Sequence, residues 1–206
     1  MNPQLLALLL AIGHTPVLGP SPIEATLKVR DVSFCWARRY SNIPERLPAA
    51  AITMRVELTV EYRNPGPRPV IVPKGHESLA YIGEASTHLT KARQAVSIFN
   101  SKILSKVSDV SEENFDAVFA IVPPGGQLPL ALTDSVAVTV FNPSQSGGKD
   151  WRGSRMFLSL EETQQPVSSR VSDVLEKRGQ FWTGRLRTSI VEVIVPQSPA
   201  VRGDCR

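Results

Sequence analysis

The chain has 206 residues, of which 42% are hydrophobic and 20% charged, a composition that indicates a globular protein and excludes a disordered or coiled-coil chain. Its 17 prolines argue against long helices and for turns and edge strands. The formal charge of +4 comes from scattered Lys and Arg without interleaved aromatic residues, so we expect no nucleic-acid partner.

The amino terminus carries an eight-residue apolar run, "LLALLLAI", from Leu5 to Ile12. This run is too short to span a bilayer, which takes about 20 residues, and is typical of the apolar region of a signal peptide. We predict a signal peptide over residues 1–25 with cleavage after Ala25, and therefore export to the periplasm or outside the cell. The preceding "MNPQ" lacks Lys and Arg, so a buried amino-terminal element of the domain is the alternative.

Two alternating segments come next. In "TLKVRDVSFCWA" the apolar positions change phase near Arg30 and Asp31, which predicts a β-bulge. In "ITMRVELTVEYR" every second residue is apolar, which predicts a strand with one buried face. The turn "NPGPRP" ends this strand, and "VIVP" is predicted to return beside it as a hairpin-like corner.

The rest of the chain repeats the same pattern. Further strands are predicted at "FDAVFAIV", "SVAVTVF", "RMFLSLEE" and "RLRTSIVEVIVP", with weaker candidates at "SLAYIG" and "QAVSIF". Val171, Val174 and Leu175 have helical spacing, which predicts one short helix near residues 168–179, whereas "SKILSKVSDVSEEN" is ambiguous between helix and loop. These elements predict an all-β fold, an antiparallel sandwich of about eight or nine strands in one domain over residues 26–206, with a tail from about residue 197.

Three of these segments, "LTVEYRNPGPRPVIV", "FAIVPPGGQLPL" and "GQFWTGRLRTSIVEVIVP", together resemble secreted bacterial immunoglobulin-like domains. In such domains strands end at Asn-Pro, Pro-Gly or Pro turns. The resemblance covers most of residues 26–196 and rests on turn chemistry. The chain lacks the paired core cysteines of antibody domains, so the resemblance implies an immunoglobulin-like architecture and no activity.

The residues that carry catalytic chemistry are sparse. No nucleophile elbow, phosphate loop or standard metal spacing occurs, so we expect no catalytic residue, metal or cofactor. His76 and His88 lie in polar stretches, and with Glu77 and Glu84 nearby they leave open a weak His/Glu site in that loop. The neighbouring acids of "LEE" in the strand at 155–162 are predicted to point to opposite faces and cannot act together on one glycosidic bond.

Loops are the better candidates for binding, because rigid β-sandwiches present function on their loops. We expect binding at the loops over residues 64–69, 123–127 and 145–152, with the candidate residues Asn64, Arg68, Gln127, Lys149, Trp151 and Arg152. An exposed Trp151 would stack on a sugar or a partner chain; the alternative is that it covers an open end of the core. Trp36 and Trp182 are predicted core residues.

Two cysteines, Cys35 and Cys205, are present, and an exported protein would join them in one disulfide. The alternative is a buried Cys35 thiol with Cys205 free or bonded to another chain. The tail also contains the tripeptide Arg202-Gly203-Asp204, which matches an adhesion motif too short to carry a prediction by itself.

The sequence thus favours an exported, non-enzymatic β-sandwich that binds another protein or a cell-envelope polymer through its loops. The alternative is a periplasmic enzyme with a site assembled from distant residues, His76, His88 and Glu84 being the candidates. A protease-inhibitor-like protein that uses the proline-stiffened loop "NPGPRP" belongs to the same alternative.

Overall fold

The computed structural model describes residues 22–37, 51–74, 78–91, 110–131, 135–143 and 149–205. Within these residues the fold is all-β, with two short helices. The elements in chain order are β1 (Glu24–Trp36), β2 (Ile52–Arg63), β3 (Val70–Pro73), β4 (Ser78–Ala85), β5 (His88–Lys91), α1 (Phe115–Val118), β6 (Phe119–Val122), β7 (Gln127–Ala131), β8 (Val136–Phe141), β9 (Arg155–Gln164), α2 (Ser169–Glu176), β10 (Gln180–Phe181), β11 (Gly184–Arg187), β12 (Val191–Ile194) and β13 (Val201–Asp204).

The strands form three sheets. Sheet A has the order β13-β1-β2-β7, and β8 pairs with the other half of β2. Sheet B has the order β10-β3-β6, and sheet C has the order β11-β9-β4-β5, with β12 also pairing with β9. Most pairs are antiparallel, but β1 pairs with β13 and β3 with β10 in parallel.

The main core is formed chiefly by residues of sheets A and C, with Val70, Val72 and Val122 of sheet B in the same cluster, an arrangement compatible with a β-sandwich. The alternation predicted for β2 is confirmed, since five of its residues are fully buried: Met54, Val56, Leu58, Val60 and Tyr62. Alternating residues of β9, Met156, Leu158 and Leu160, belong to the same core cluster. The two sheets are joined across this core by a hydrogen bond of 2.8 Å from the Tyr62 hydroxyl to Glu162 Oε2.

A smaller core connects sheet B to the helices. Phe115 and Phe119 pack together with ring centroids 5.6 Å apart, beside the buried Val171 and Leu175 of α2. The helix predicted at 168–179 is confirmed at Ser169–Glu176, where the predicted apolar stripe is the buried face. Ser168 precedes it with extended backbone, although its side chain makes no capping hydrogen bond.

Other predicted local features are confirmed as well. The register between β1 and β2 shifts between Val29 and Asp31, where the bulge was predicted. A strand is found at "SLAYIG" as part of β4, whereas the candidate "QAVSIF" and most of "SKILSKVSDVSEEN" lie outside the described residues.

Several local predictions are wrong. The strand "VIVP" makes no hairpin with β2; it pairs with β6 and β10 in sheet B. "FDAV" forms the turn of helix α1 before strand β6 begins, because Phe115 and Val118 lie three apart and both face the smaller core. "RLRTSIVEVIVP" is two strands, interrupted where Thr188 N donates to Leu160 O and Ser189 N to Ala25 O. Because Ser189 binds the edge of β1, this interruption connects sheet C to sheet A.

The tail is part of the fold. Residues 201–204 form β13 on the outer edge of β1, and Cys35 and Cys205 are disulfide-bonded, with their Cα atoms 5.0 Å apart. Phe34 pairs with Val201 and Trp36 with Asp204, so β13 holds one extra residue there. Gly203 has a φ of +63°, a conformation that favours glycine and absorbs this bulge.

Two tryptophan predictions have different outcomes. Trp182 is fully buried, as predicted. Trp36 is 37% exposed, so its prediction as a core residue is wrong. It is the last residue of β1 and pairs with Ile52, which is the buried member of that pair.

The described fold begins upstream of the predicted signal cleavage. Ile23 is 1% exposed and belongs to the main core, and Ala25 pairs with Tyr62 in the β1–β2 ladder. A cut after Ala25 therefore falls inside β1. Neither helix of the described residues is long or apolar enough to cross a membrane.

Candidate functional site

The three predicted binding loops lie at opposite ends of β2. At one end Arg63 pairs with Gln127, and at the other Ile52 pairs with Phe141, next to which Trp151 N donates to Val140 O. Eleven residue steps at about 3.3 Å separate these ends by roughly 35 Å. The loops at 64–69 and 123–127 therefore share one end, and residues 149–152 of the third loop lie at the other, while its residues 145–148 lie outside the described residues.

At the Arg63 end, Asn64 has a structural role. It is fully buried; its amide nitrogen donates to Arg68 O at 2.7 Å and Val122 O at 3.0 Å, and its side-chain oxygen accepts from Gly66 N. The amide of Asn64 is thus satisfied inside the turn and does not face a partner. Arg68 and Gln127 are exposed, and Arg68 lines a groove of about 590 Å³ beside α2.

At the Ile52 end, four residues singled out from the sequence meet in one open groove. Residues 82–85 of β4, His88, Lys149 and Trp151 line a groove of about 460 Å³, which we call the Trp151 groove. The set combines Glu84 and His88, expected for an enzyme, with Lys149 and Trp151, expected for a binding loop. The sequence separates the two pairs by about sixty residues, and sheet C together with the 149–152 segment brings them together.

Lys149 is held in place from two sides. Its ammonium forms an ion pair with Glu84 and lies 4.2 Å from the centroid of the Trp151 ring. Trp151 is half-buried and packs against the main core, so the expectation that it covers an end of the core is confirmed. The indole is therefore a fixed base for a positive charge at the rim of the groove.

One ring nitrogen of His88 is engaged by the backbone. Its Nδ1 lies 2.7 Å from the carbonyl oxygen of Thr87, and since a carbonyl only accepts, Nδ1 donates. Nε2 is then the nitrogen that can meet a ligand. The turn that carries His88 is packed on Gly83, where an added Cβ would collide with the His88 carbonyl, so a glycine is needed there.

The guanidinium of Arg152 is already bound by neighbouring side chains. Its guanidinium donates to both carboxylate oxygens of Asp150, with an Nη2 to Oδ2 distance of 2.6 Å, and lies 3.6 Å from the centroid of Phe141. Hydrogen bonds from the side chain and backbone of Arg152 hold the pKa of Asp150 below its ordinary value. This closed pair stiffens the segment that positions Trp151 and leaves little of Arg152 for a ligand.

A second groove is also lined by His88. Residues 86–89 and 187–190 line a space of about 690 Å³, which we call the Arg187 groove. Its charged residue is Arg187, which is exposed and lies with its guanidinium 4.5 Å from the centroid of the Tyr81 ring. Because His88 lines both grooves, we refer to the two together as the His88 surface.

The residues named for acid–base or metal chemistry are only partly described. His76 and Glu77 lie outside the described residues. Glu84 and His88 are both exposed, and Glu84 is paired with Lys149. Among the residues that the structure describes, no three His, Cys, Asp or Glu side chains form a cluster able to hold a metal ion.

The predicted divergence of the two adjacent acids in β9 agrees with the structure, because Glu162 is fully buried and Glu161 is half-exposed. Two features were missed from the sequence, the Tyr62–Glu162 bond and Arg187. Glu162 follows Leu158 and Leu160 at intervals of two residues, so it faces the same side of β9, and this spacing was a signal for its burial. Arg187 had no such signal, since the pairing of β11 with β9 and the approach of the β4–β5 turn depend on sheet order.

The chain matches no protein-family model, and searches of curated proteins and of solved structures find no significant match. The case for a function therefore depends on the geometry of the His88 surface.

Proposed function

We propose that this protein is an exported, non-enzymatic binding module that holds another macromolecule on its His88 surface. The observation that carries the proposal is the convergence of Glu84, His88, Lys149 and Trp151 around one open groove, together with a second groove that His88 also lines. Two open grooves that share a lining residue suit an extended ligand better than a compact metabolite, which proteins enclose in deeper and more apolar pockets.

The side chains of the surface support binding more than catalysis. Lys149 is fixed by an aromatic ring and a carboxylate, and Arg187 by an aromatic ring, so both are preorganised for contact. Glu84, the carboxylate that lines the Trp151 groove with His88, is engaged by Lys149 and is poorly placed to accept a proton from a substrate.

Export is part of the proposal. The disulfide supports it, because such bonds persist in oxidising compartments and are rare in the cytosol. The apolar run at residues 5–12 supports it as well. We also propose that the sandwich is immunoglobulin-like in architecture; its support is the all-β fold together with the turn motifs of the sequence.

The test compares the two ends of the molecule. The double variant His88→Ala/Lys149→Ala should lower capture of the partner from a native cell-envelope extract by about tenfold or more, because two contact side chains are lost from the surface. The matched control, Arg68→Ala/Gln127→Ala, changes two exposed residues at the opposite end of β2 and should leave capture unchanged.

Both variants alter exposed side chains, so thermal unfolding should show them as stable as the wild type. Equal loss of capture in both variants, or a loss confined to the control, would place binding elsewhere and reject the His88 surface.

A further inference from the structure

We propose that the Arg187 groove binds the acidic group, a carboxylate or phosphate, of an anionic polysaccharide. This inference rests on the proposed function and names the ligand class for one part of the same surface. The two grooves differ in the charges that they present.

Three cations of this region lie on aromatic rings, and they differ in their counterions. Lys149 on Trp151 is paired with Glu84, and Arg152 on Phe141 is paired with Asp150. The side chain of Arg187, over Tyr81, makes no ion pair or hydrogen bond with another residue of the described part of the chain, although its backbone pairs with Glu161. Its guanidinium therefore keeps its donors for a ligand.

The acid nearest to Arg187 by strand register is Glu161, directly opposite on β9. No ion pair joins the two, because the guanidinium lies over the Tyr81 ring instead. Stacking on an aromatic ring leaves the edge of a guanidinium free, and that edge matches the two oxygens of a carboxylate or phosphate. The geometry thus prepares Arg187 for an oxyanion.

The wall of the groove explains why a polysaccharide is favoured over an acidic peptide. An extended peptide is recognised through free backbone groups of a strand. Here Thr188 N donates to Leu160 O, Ser189 N donates to Ala25 O, and Thr188 O accepts from Ser159 Oγ. These backbone groups of the wall are already hydrogen-bonded within the fold. Recognition of a ligand therefore depends on side chains.

The side chains that remain suit a sugar chain. Ser86 and Thr87 are exposed and bring hydroxyl groups that both donate and accept, beside the apolar Leu89 and the 42% exposed Ile190. A sugar ring offers the same mixture of hydroxyls and apolar C–H faces. The formal charge of +4 for the chain adds attraction toward an anionic polymer.

The experiment measures binding of the disulfide-bonded protein to matched pairs of polymers. Polygalacturonate is compared with its methyl ester, and phosphomannan with neutral mannan. We expect at least one acidic polymer to bind tenfold or more tightly than its neutral partner, and the member that binds identifies carboxylate or phosphate. Poly-glutamate is included as the acidic peptide and should bind more weakly.

Two variants on one strand locate the site. Arg187→Gln should lower affinity for the acidic polymer about tenfold or more, because a charge-assisted bidentate contact is lost. Arg185→Gln removes another exposed arginine, two residues away, that does not line the groove, and should change affinity less than twofold.

Equal losses in the two variants would show attraction by general charge and overturn the proposal. Equal binding of acidic and neutral polymers, no binding of any, or tighter binding of poly-glutamate would overturn it too. If the polymers fail while His88→Ala/Lys149→Ala still abolishes partner capture, this inference falls and the proposed function stands.

Discussion

The hydroxyl of Tyr62 donates to Glu162 across the main core and joins β2 of sheet A to β9 of sheet C. Both side chains are fully buried, in a place where apolar residues would be the ordinary choice. A buried carboxylate is tolerated where hydrogen bonds compensate the loss of water. The hydrogen bond therefore fixes the position of β2 relative to β9 across the core.

Burial raises the pKa of Tyr62 well above its ordinary value, and the charge and hydrogen bond of Glu162 raise it further. The folded protein thus holds the phenolic proton more tightly than the unfolded chain. This contribution to stability is complete below about pH 10, and it decreases as the pH rises above the unfolded pKa.

Tyr62→Phe should lower the free energy of unfolding by about 1–3 kcal/mol at about pH 8, since Glu162 loses a hydrogen bond in the core. At about pH 11 the difference from the wild type should shrink by about 1 kcal/mol, because the variant has no phenol to titrate on unfolding. Urea unfolding at both pH values measures this. A difference that is the same at both would contradict the raised pKa.

At the scale of the element, β13 depends on the disulfide. Its four residues are half-exposed or exposed, and its attachments include the parallel pairing to β1, the packing of Val201 on the main core, the hydrogen bond from Cys205 N to Trp36 O and the Cys35–Cys205 bond. The Arg202-Gly203-Asp204 tripeptide is thus held in an edge strand with a glycine bulge. An adhesion role for it stays untested.

The double variant Cys35→Ser/Cys205→Ser should lose about 3–5 kcal/mol of stability in the chain-entropy account, because the bond closes a long loop. In this variant, hydrogen exchange at the backbone N–H of residue 205 and at the amides of β13 should become fast. Amides of the β1–β2 ladder serve as the internal control and should stay protected in native conditions. Persistent protection of β13 would show that strand pairing alone holds the tail.

For the whole molecule, the buried residue before β1 sets a limit on the proposed signal cleavage. Ile23 is buried in the main core, and truncating such a side chain costs about 2–5 kcal/mol. We therefore expect the mature amino terminus to lie upstream of Ile23 rather than at Thr26. Intact mass of the protein recovered from the periplasm of a bacterial host locates it, and a terminus at Thr26 would contradict the expectation.

The same measurement after reduction tests the disulfide, since the reduced protein gains two hydrogen atoms. Protein that stays in the cytoplasm with its full mass would contradict export itself.

The sequence by itself determined the local features of the fold. Alternation in β2, the phase change near Arg30, the helical spacing of Val171 and Leu175, and the all-β class all depend on residues a few positions apart. Pairing of the two cysteines also followed from their number, given export. The opposite facing of the adjacent acids in β9 followed from the same period of two.

Only the tertiary structure decided what these elements assemble. The order of strands in a sheet decides whether "VIVP" joins β2 or another sheet. It also decides whether Asn64 is buried and whether Arg187 lies beside His88. That order results from the packing of segments distant in sequence, on which the local alternation carries no information. The His88 surface consists of such long-range neighbours, and for this reason sequence reasoning found four of its residues without seeing that they meet.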